Sequence, residues 1–137
     1  PDALEKALQE LKKLKINNSK LIVIFGCGGN RDKTKRPIMG NIAAKLADIV
    51  IVTDDNPRDE DPGIIRKEII SENQGFMEIS DRKSAIEYGI GIMSQSDILL
   101  IAGKGHEEYQ IIKGEKLYFS DLETAQNLLN QTKNTQD

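Results

Sequence analysis

Arg58 is the side chain best placed in this sequence to read a carboxylate. It closes the run Asp54, Asp55, Asn56, Pro57 and Arg58, which follows the apolar IVIV at 49–52. A guanidinium offers a planar fork that matches a carboxylate with two hydrogen bonds, Asn56 can donate and accept beside it, and Asp54 and Asp55 can receive an ammonium group. Pro57 fixes its own φ and pushes Asn56 away from helical geometry, so the segment is expected to be extended and stiff. The plainer alternative is a solvated turn whose arginine pairs with the neighbouring aspartates.

Two further loops carry the same kind of chemistry. GCGGNRDKTKR (26–36) follows the apolar run LIVIF, and AGKGHEE (102–108) follows ILLI. The first is not a dinucleotide fingerprint, because Arg31 stands where close helix packing needs glycine or alanine. It is not a phosphate loop either, since Asp32 rather than glycine precedes Lys33. Gly26, Gly28 and Gly29 are expected to use positive φ, which turns the backbone sharply and brings it near a ligand, and Gly103 and Gly105 suggest the same around Lys104. His106 is the single histidine and the obvious proton carrier near neutral pH. Pairing it with Cys27 as a nucleophile lacks a third, orienting group, so no catalytic residue is assigned. No Cys, His or carboxylate cluster has metal-ligand spacing.

The elements that must position these loops are legible from periodicity. Residues 2–15 place Ala3, Leu4, Ala7, Leu8, Leu11 and Leu14 at helical spacing, and Asn17, Asn18 and Ser19 break the pattern. The continuous apolar runs 21–25, 49–52 and 98–101 are expected to be strands covered on both faces, with a weaker one at 76–79. Helical segments at 37–47, 62–71 and 82–93 alternate with them, with Pro37 and Pro62 in first turns. Strand, helix and strand in alternation require parallel pairing and right-handed crossovers. Residues 109–112 and 117–119 read as a hairpin, and Ser120 with Glu123 opens a last helix. Residues 131–137 are expected to be a disordered tail. The fold class is therefore α/β, Rossmann-like, with a mostly parallel sheet, helices on both faces and an antiparallel hairpin strand near the C-terminus.

In an open parallel sheet ligands bind at the carboxyl ends of the strands, and all three loops open there. Arg31, Lys33, Lys35, Arg36, Arg58 and Lys104 would then face Asp32, Asp54, Asp55 and Glu107, a mixture suited to a zwitterion. A pure phosphate ligand would be repelled by the acids.

The chain has 137 residues, enough for one core. A formal charge of −3 gives no global pull toward nucleic acid or an acidic membrane. One cysteine rules out an internal disulfide, and no apolar run reaches the roughly 20 residues that cross a bilayer. A cytoplasmic domain is expected. Because the sequence starts at Pro1 and enters a helix at once, it is also expected to be part of a longer protein.

Taken together, GCGGNRDKTKRPIMG, TDDNPR and GKGHEEYQ resemble, in order and spacing, the C-terminal domain of the Mur ligases, most closely the members that add meso-2,6-diaminopimelate. The resemblance spans about residues 1–129 and implies a Rossmann-like sheet in a domain covering 1–130, with UDP-binding and central ATPase domains lying outside this chain. It implies an ATP-dependent amide ligase of peptidoglycan synthesis, working in the cytoplasm with ATP and Mg2+ held mainly by the central domain. In such enzymes the C-terminal domain delivers the amino acid, whose amine attacks an acyl phosphate of the UDP-N-acetylmuramoyl-dipeptide. Carried over by motif, Asp55, Asn56, Pro57 and Arg58 recognise the distal end of diaminopimelate, with Arg31, Gly103 and Glu107 completing the pocket. Asn30, Lys35 and Arg36 fall on the nucleotide side, although the commonest form of the motif has aspartate at the place of Asn30. The isolated domain is expected to have no ligase activity. A different reading is a free-standing Rossmann-like nucleotide-binding or regulatory module, resting on the glycine loop and on Asp54 and Asp55 as ribose-binding acids.

Overall fold

The structure, a computed structural model, describes residues 2–16, 18–29, 32–102, 109–113 and 116–117. In chain order the elements are α1 (Asp2–Lys13), β1 (Leu21–Phe25), α2 (Lys35–Leu46), β2 (Ile49–Val52), α3 (Pro62–Ile70), β3 (Met77–Glu78), α4 (Arg82–Ile92), β4 (Ile98–Ala102), β5 (Tyr109–Lys113) and β6 (Lys116–Leu117). The helix expected from Ser120 and the tail at 131–137 lie outside the described residues.

The six strands form one sheet in the order β3-β2-β1-β4-β5-β6. β1 to β4 are mutually parallel, β5 runs antiparallel to β4, and β6 at the edge runs antiparallel to β5. All five residues of β1 are buried, as a central strand with two covered faces requires. Side chains alternate between two cores. Leu21, Val23 and Phe25 pack with Leu4 and Leu8 of α1, Ala43 of α2 and Ile69 of α3. Ile22 and Ile24 pack with Ala85, Ile86 and Ile90 of α4. Among the described residues three helices thus cover one face and one covers the other, which puts helices on both faces as the alternating pattern implied.

Local chemistry sets the boundaries. α1 ends at Lys13, one residue before the last apolar position of its pattern, and the Ser19 hydroxyl then accepts from the Ile16 N–H at 3.0 Å and donates to the Ile16 carbonyl at 2.8 Å, closing a turn. α3 and α4 start at aspartate caps, where Asp61 accepts from the Gly63 N–H and Asp81 from the Ser84 N–H. α2 begins at Lys35, two residues earlier than its proline suggested, which leaves Pro37 in the first turn. The β3 run is shorter than expected: an edge strand pairs on one side only, and both its residues are exposed.

α2 and α3 approach closely at Gly40, where an added Cβ would lie 1.9 Å from the Ile69 carbonyl oxygen. This contact fixes how the loops that precede the two helices face each other.

Candidate functional site

The loop after β1 and the loop after β2 meet at the carboxyl edge of the sheet, since β1 and β2 are adjacent and in parallel register. Backbone joins them first. The Gly29 N–H donates to the Asn56 carbonyl at 2.8 Å. A Cβ on Gly29 would lie 1.8 Å from the Pro57 carbonyl oxygen, and one on Gly26 2.3 Å from that of Thr53. Glycine is needed at 26 and 29 for closeness to the second loop. The expectation of positive φ is not met at Gly26, Gly28 or Gly29; among the described residues Gly75 is the glycine that takes it.

Arg58 itself has φ 51°, a left-handed conformation that costs a non-glycine residue on the order of 1–3 kcal/mol. Three contacts sustain it. Its N–H donates to Asn56 Oδ1 at 3.2 Å, in the manner of an Asx turn. Its Nη1 donates to the Gly29 carbonyl at 2.7 Å. The Glu60 N–H donates to the Pro57 carbonyl at 3.0 Å, tightening the following turn. The guanidinium is thereby held by one corner. Residues 53–57 belong to no helix or strand, and the chain turns back at Arg58.

Most acids of this loop are already engaged. Asp54 pairs with Nη1 of Arg66 on α3, whose Nε also donates to Glu78 of β3 at 2.8 Å. Glu60 takes Arg36, and Asp61 caps α3. In the first loop Asp32 accepts from both the N–H and the hydroxyl of Thr34, which holds its carboxyl below the usual carboxylate range. Asp55 is half-buried and makes no side-chain hydrogen bond or ion pair among the described residues. It is the acid with capacity left for an ammonium group.

Arg36 sits in the first turn of α2 yet is 1% exposed. Its Nη1 donates to Glu60 Oε1 at 3.1 Å and Glu68 Oε1 at 2.7 Å, and its Nη2 to Glu60 Oε2 at 2.8 Å and the Gly28 carbonyl at 3.2 Å. The hydrogen bond to Glu60 is the main reason its pKa is raised, ahead of the opposing cost of burial. Expected on the nucleotide side, Arg36 turns inward instead and joins both loops to α3. Lys35 beside it is exposed, and Lys33 reaches Glu60 at 3.5 Å.

Burial pushes the Cys27 thiol up to about 11, with Arg36 opposing the shift only in part. Its Sγ lies 3.6 Å from the sulfur of Met39. A thiol so poorly ionised at neutral pH is no nucleophile. Among the described residues no three His, Cys, Asp or Glu side chains gather as metal ligands, and no helix is long and apolar enough to cross a membrane. A groove of about 490 Å3 between α2 and α3 is lined by Lys33, Thr34, Ile64, Lys67 and Glu68 among others, and does not include Asp55, Asn56 or Arg58. Asn30, Arg31, Gly103, Lys104, His106 and Glu107 lie outside the described residues.

The roles of Arg66, Glu60, Glu68 and Glu78 escaped the sequence reading. One signal was present for the inward turn of Arg36: it shares helical spacing with the buried Gly40 and Ala43. For Arg66 and Glu78, on separate elements, no pattern in the sequence joins them.

Comparison with known proteins bears on this arrangement. Residues 1–105 match the family described as Mur ligase, glutamate ligase domain. The UDP-N-acetylmuramoyl-L-alanyl-D-glutamate--2,6-diaminopimelate ligase of Rickettsia felis is 63% identical over 131 residues, covering 94% of this chain and 25% of the relative. That of Rickettsia bellii is 65% identical over 127 residues, covering 91% and 27%. That of Chlorobium phaeobacteroides is 54% identical over 131 residues, covering 94% and 26%. A solved structure of a UDP-N-acetylmuramoyl-L-alanyl-D-glutamate--2,6-diaminopimelate ligase superposes with a TM-score of 0.79 at 39% identity, covering 97% of this chain and 28% of that one. The chain spans about a quarter of the length of the curated relatives it matches.

Proposed function

Since this chain belongs to the Mur ligase family, through its glutamate ligase domain, we propose that it is the amino-acid-delivering domain of a ligase that adds meso-2,6-diaminopimelate to UDP-N-acetylmuramoyl-L-alanyl-D-glutamate. One observation carries the reading: Arg58 is held in a left-handed turn by the Gly29 carbonyl, with Asp55 beside it in the same loop. Among the described residues the guanidinium is fixed at one corner, which leaves its other N–H groups to a ligand carboxylate, and Asp55 has no partner there, which suits the ammonium group next to it. Diaminopimelate carries both groups at its distal end, and lysine lacks the distal carboxylate. Asn56 and Pro57 shape the turn, while Arg31, Gly103 and Glu107 are proposed to close the pocket.

In this reading the domain binds and orients the amino acid so that its free amine faces an acyl phosphate formed on the D-glutamate side chain of the UDP-linked substrate. ATP supplies the phosphoryl group, and the UDP-binding and ATPase parts lie outside this chain. Lys35 at the open N-terminus of α2, together with Asn30, is proposed to face the nucleotide. Arg36 as placed would first have to leave Glu60 and Glu68. The Mg2+ that accompanies ATP in this reading is proposed to be held mainly outside this chain. The setting proposed is the cytoplasm, without nucleic acid or membrane partners, and the domain alone is expected to lack ligase activity.

The test is substrate choice by the intact enzyme. It should use meso-diaminopimelate far better than L-lysine, and Arg58→Ala should cost about a hundredfold or more in kcat/KM for diaminopimelate while leaving lysine little changed. Equal use of both amino acids before substitution would sink the reading.

A further inference from the structure

We propose that Arg36 is a positioning residue for amino-acid selection, presetting Arg58 by gathering the glycine loop, the loop after β2 and α3 around one buried guanidinium. This rests on the reading that Arg58 recognises a ligand carboxylate. Beyond its N–H bond to Asn56, Arg58 is placed by two attachments. One is the Gly29 carbonyl, which accepts from its Nη1, and the other is its own chain, which continues into Glu60 two residues later. Arg36 holds the neighbour of each. Its Nη2 donates to the carbonyl of Gly28, adjacent to Gly29, and its two Nη groups take both carboxylate oxygens of Glu60. Glu68 ties the same guanidinium to α3.

The location is an unusual one for a cation. The first turn of a helix disfavours positive charge, and α2 has no acid in that turn. Among the described residues, burying a guanidinium there is compensated by the Glu60 and Glu68 carboxylates and the Gly28 carbonyl, all of which must be in register at once. Such a fully paired network tolerates one geometry and resists intermediate ones. The geometry it selects keeps Gly29 against Pro57, where no Cβ fits. A lysine at 36 would keep the charge but lose the fork that reaches Glu60 twice and Gly28 as well.

The experiment compares Arg36→Lys, Glu60→Gln and Arg58→Ala in the intact enzyme that carries this domain. For Arg36→Lys the expected result is a KM for meso-diaminopimelate raised about tenfold or more, a similar fall in its preference over L-lysine, and KM for ATP and kcat within about twofold. Glu60→Gln should shift the same two quantities in the same direction by a smaller factor. A structural role alone would lower the fraction of active enzyme, and hence apparent kcat, without moving KM or the preference. Unchanged KM and preference in folded Arg36→Lys overturns the inference. If Arg36→Lys does not fold, Glu60→Gln decides alone, and unchanged values there overturn it equally. Arg58→Ala separates the two claims: loss of preference there with none in the other variants removes only the positioning role, whereas no loss at Arg58 removes the proposed function itself.

Discussion

The two edges of the sheet use acids in opposite ways. At the amino edge Asp97 receives the N–H groups of Lys20 at 2.8 Å and Ser94 at 2.9 Å, and Asp48 receives the Leu21 N–H at 2.8 Å and Lys15 Nζ at 2.7 Å. Both carboxylates lock strands and turns in place. At the carboxyl edge Asp54, Glu60 and Asp61 are engaged in the same structural way, whereas among the described residues Asp55 has no such partner and the Arg58 guanidinium is anchored through one nitrogen, in a conformation that strains the residue. Saturated carboxylates stabilise, and the proposed ligand site rests on the acid that the other described residues leave unpaired beside a strained cation.

That contrast can be broken most directly by comparing two adjacent aspartates. Asp54→Asn should cost about 1–2 kcal/mol of stability in urea unfolding, because Arg66 would keep Glu78 but lose its other charged partner. Asp55→Asn should leave unfolding within about 0.5 kcal/mol and instead weaken diaminopimelate use by the intact enzyme. Equal stability losses for the two variants would erase the distinction.

A smaller effect tests the amino edge. Burial alone would raise the pKa of Asp48, but its hydrogen bonds to Lys15 and Leu21 outweigh that and lower it below the ordinary value. The unfolded chain therefore binds this proton more readily, so the stabilisation is present above about pH 4 and fades as pH falls through the lower folded value. Its side chain is 41% exposed, and solvent screening limits the loss to about 0.5–1 kcal/mol. Asp48→Asn should remove this part of the acid sensitivity in pH-dependent unfolding, and an unaltered profile would count against the assignment.

The smallest expected effect on stability is at Cys27. With its thiol at about 11, alkylation at pH 7 should be about a hundredfold slower in the folded chain than in urea, and its rate should still be climbing past pH 9. Rapid labelling of the folded chain at neutral pH would mean the thiol is less buried than described.

Sequence alone determined the α/β alternation and the strands at 21–25, 49–52 and 98–101, because apolar runs of strand length flanked by turn residues leave few other folds. It also put Arg58 and the acids of its loop on the carboxyl edge, since a parallel sheet must place its following loops there. Only the tertiary structure decided which of those charges are already paired within the fold. Local sequence cannot say that Asp54 meets Arg66, that Glu60 and Glu68 share Arg36, or that glycine at 29 is required by the nearness of Pro57 rather than by its own φ. Those outcomes depend on α2 and α3 packing against each other through Gly40, and pairings between distant segments arise only once the helices are docked on the sheet.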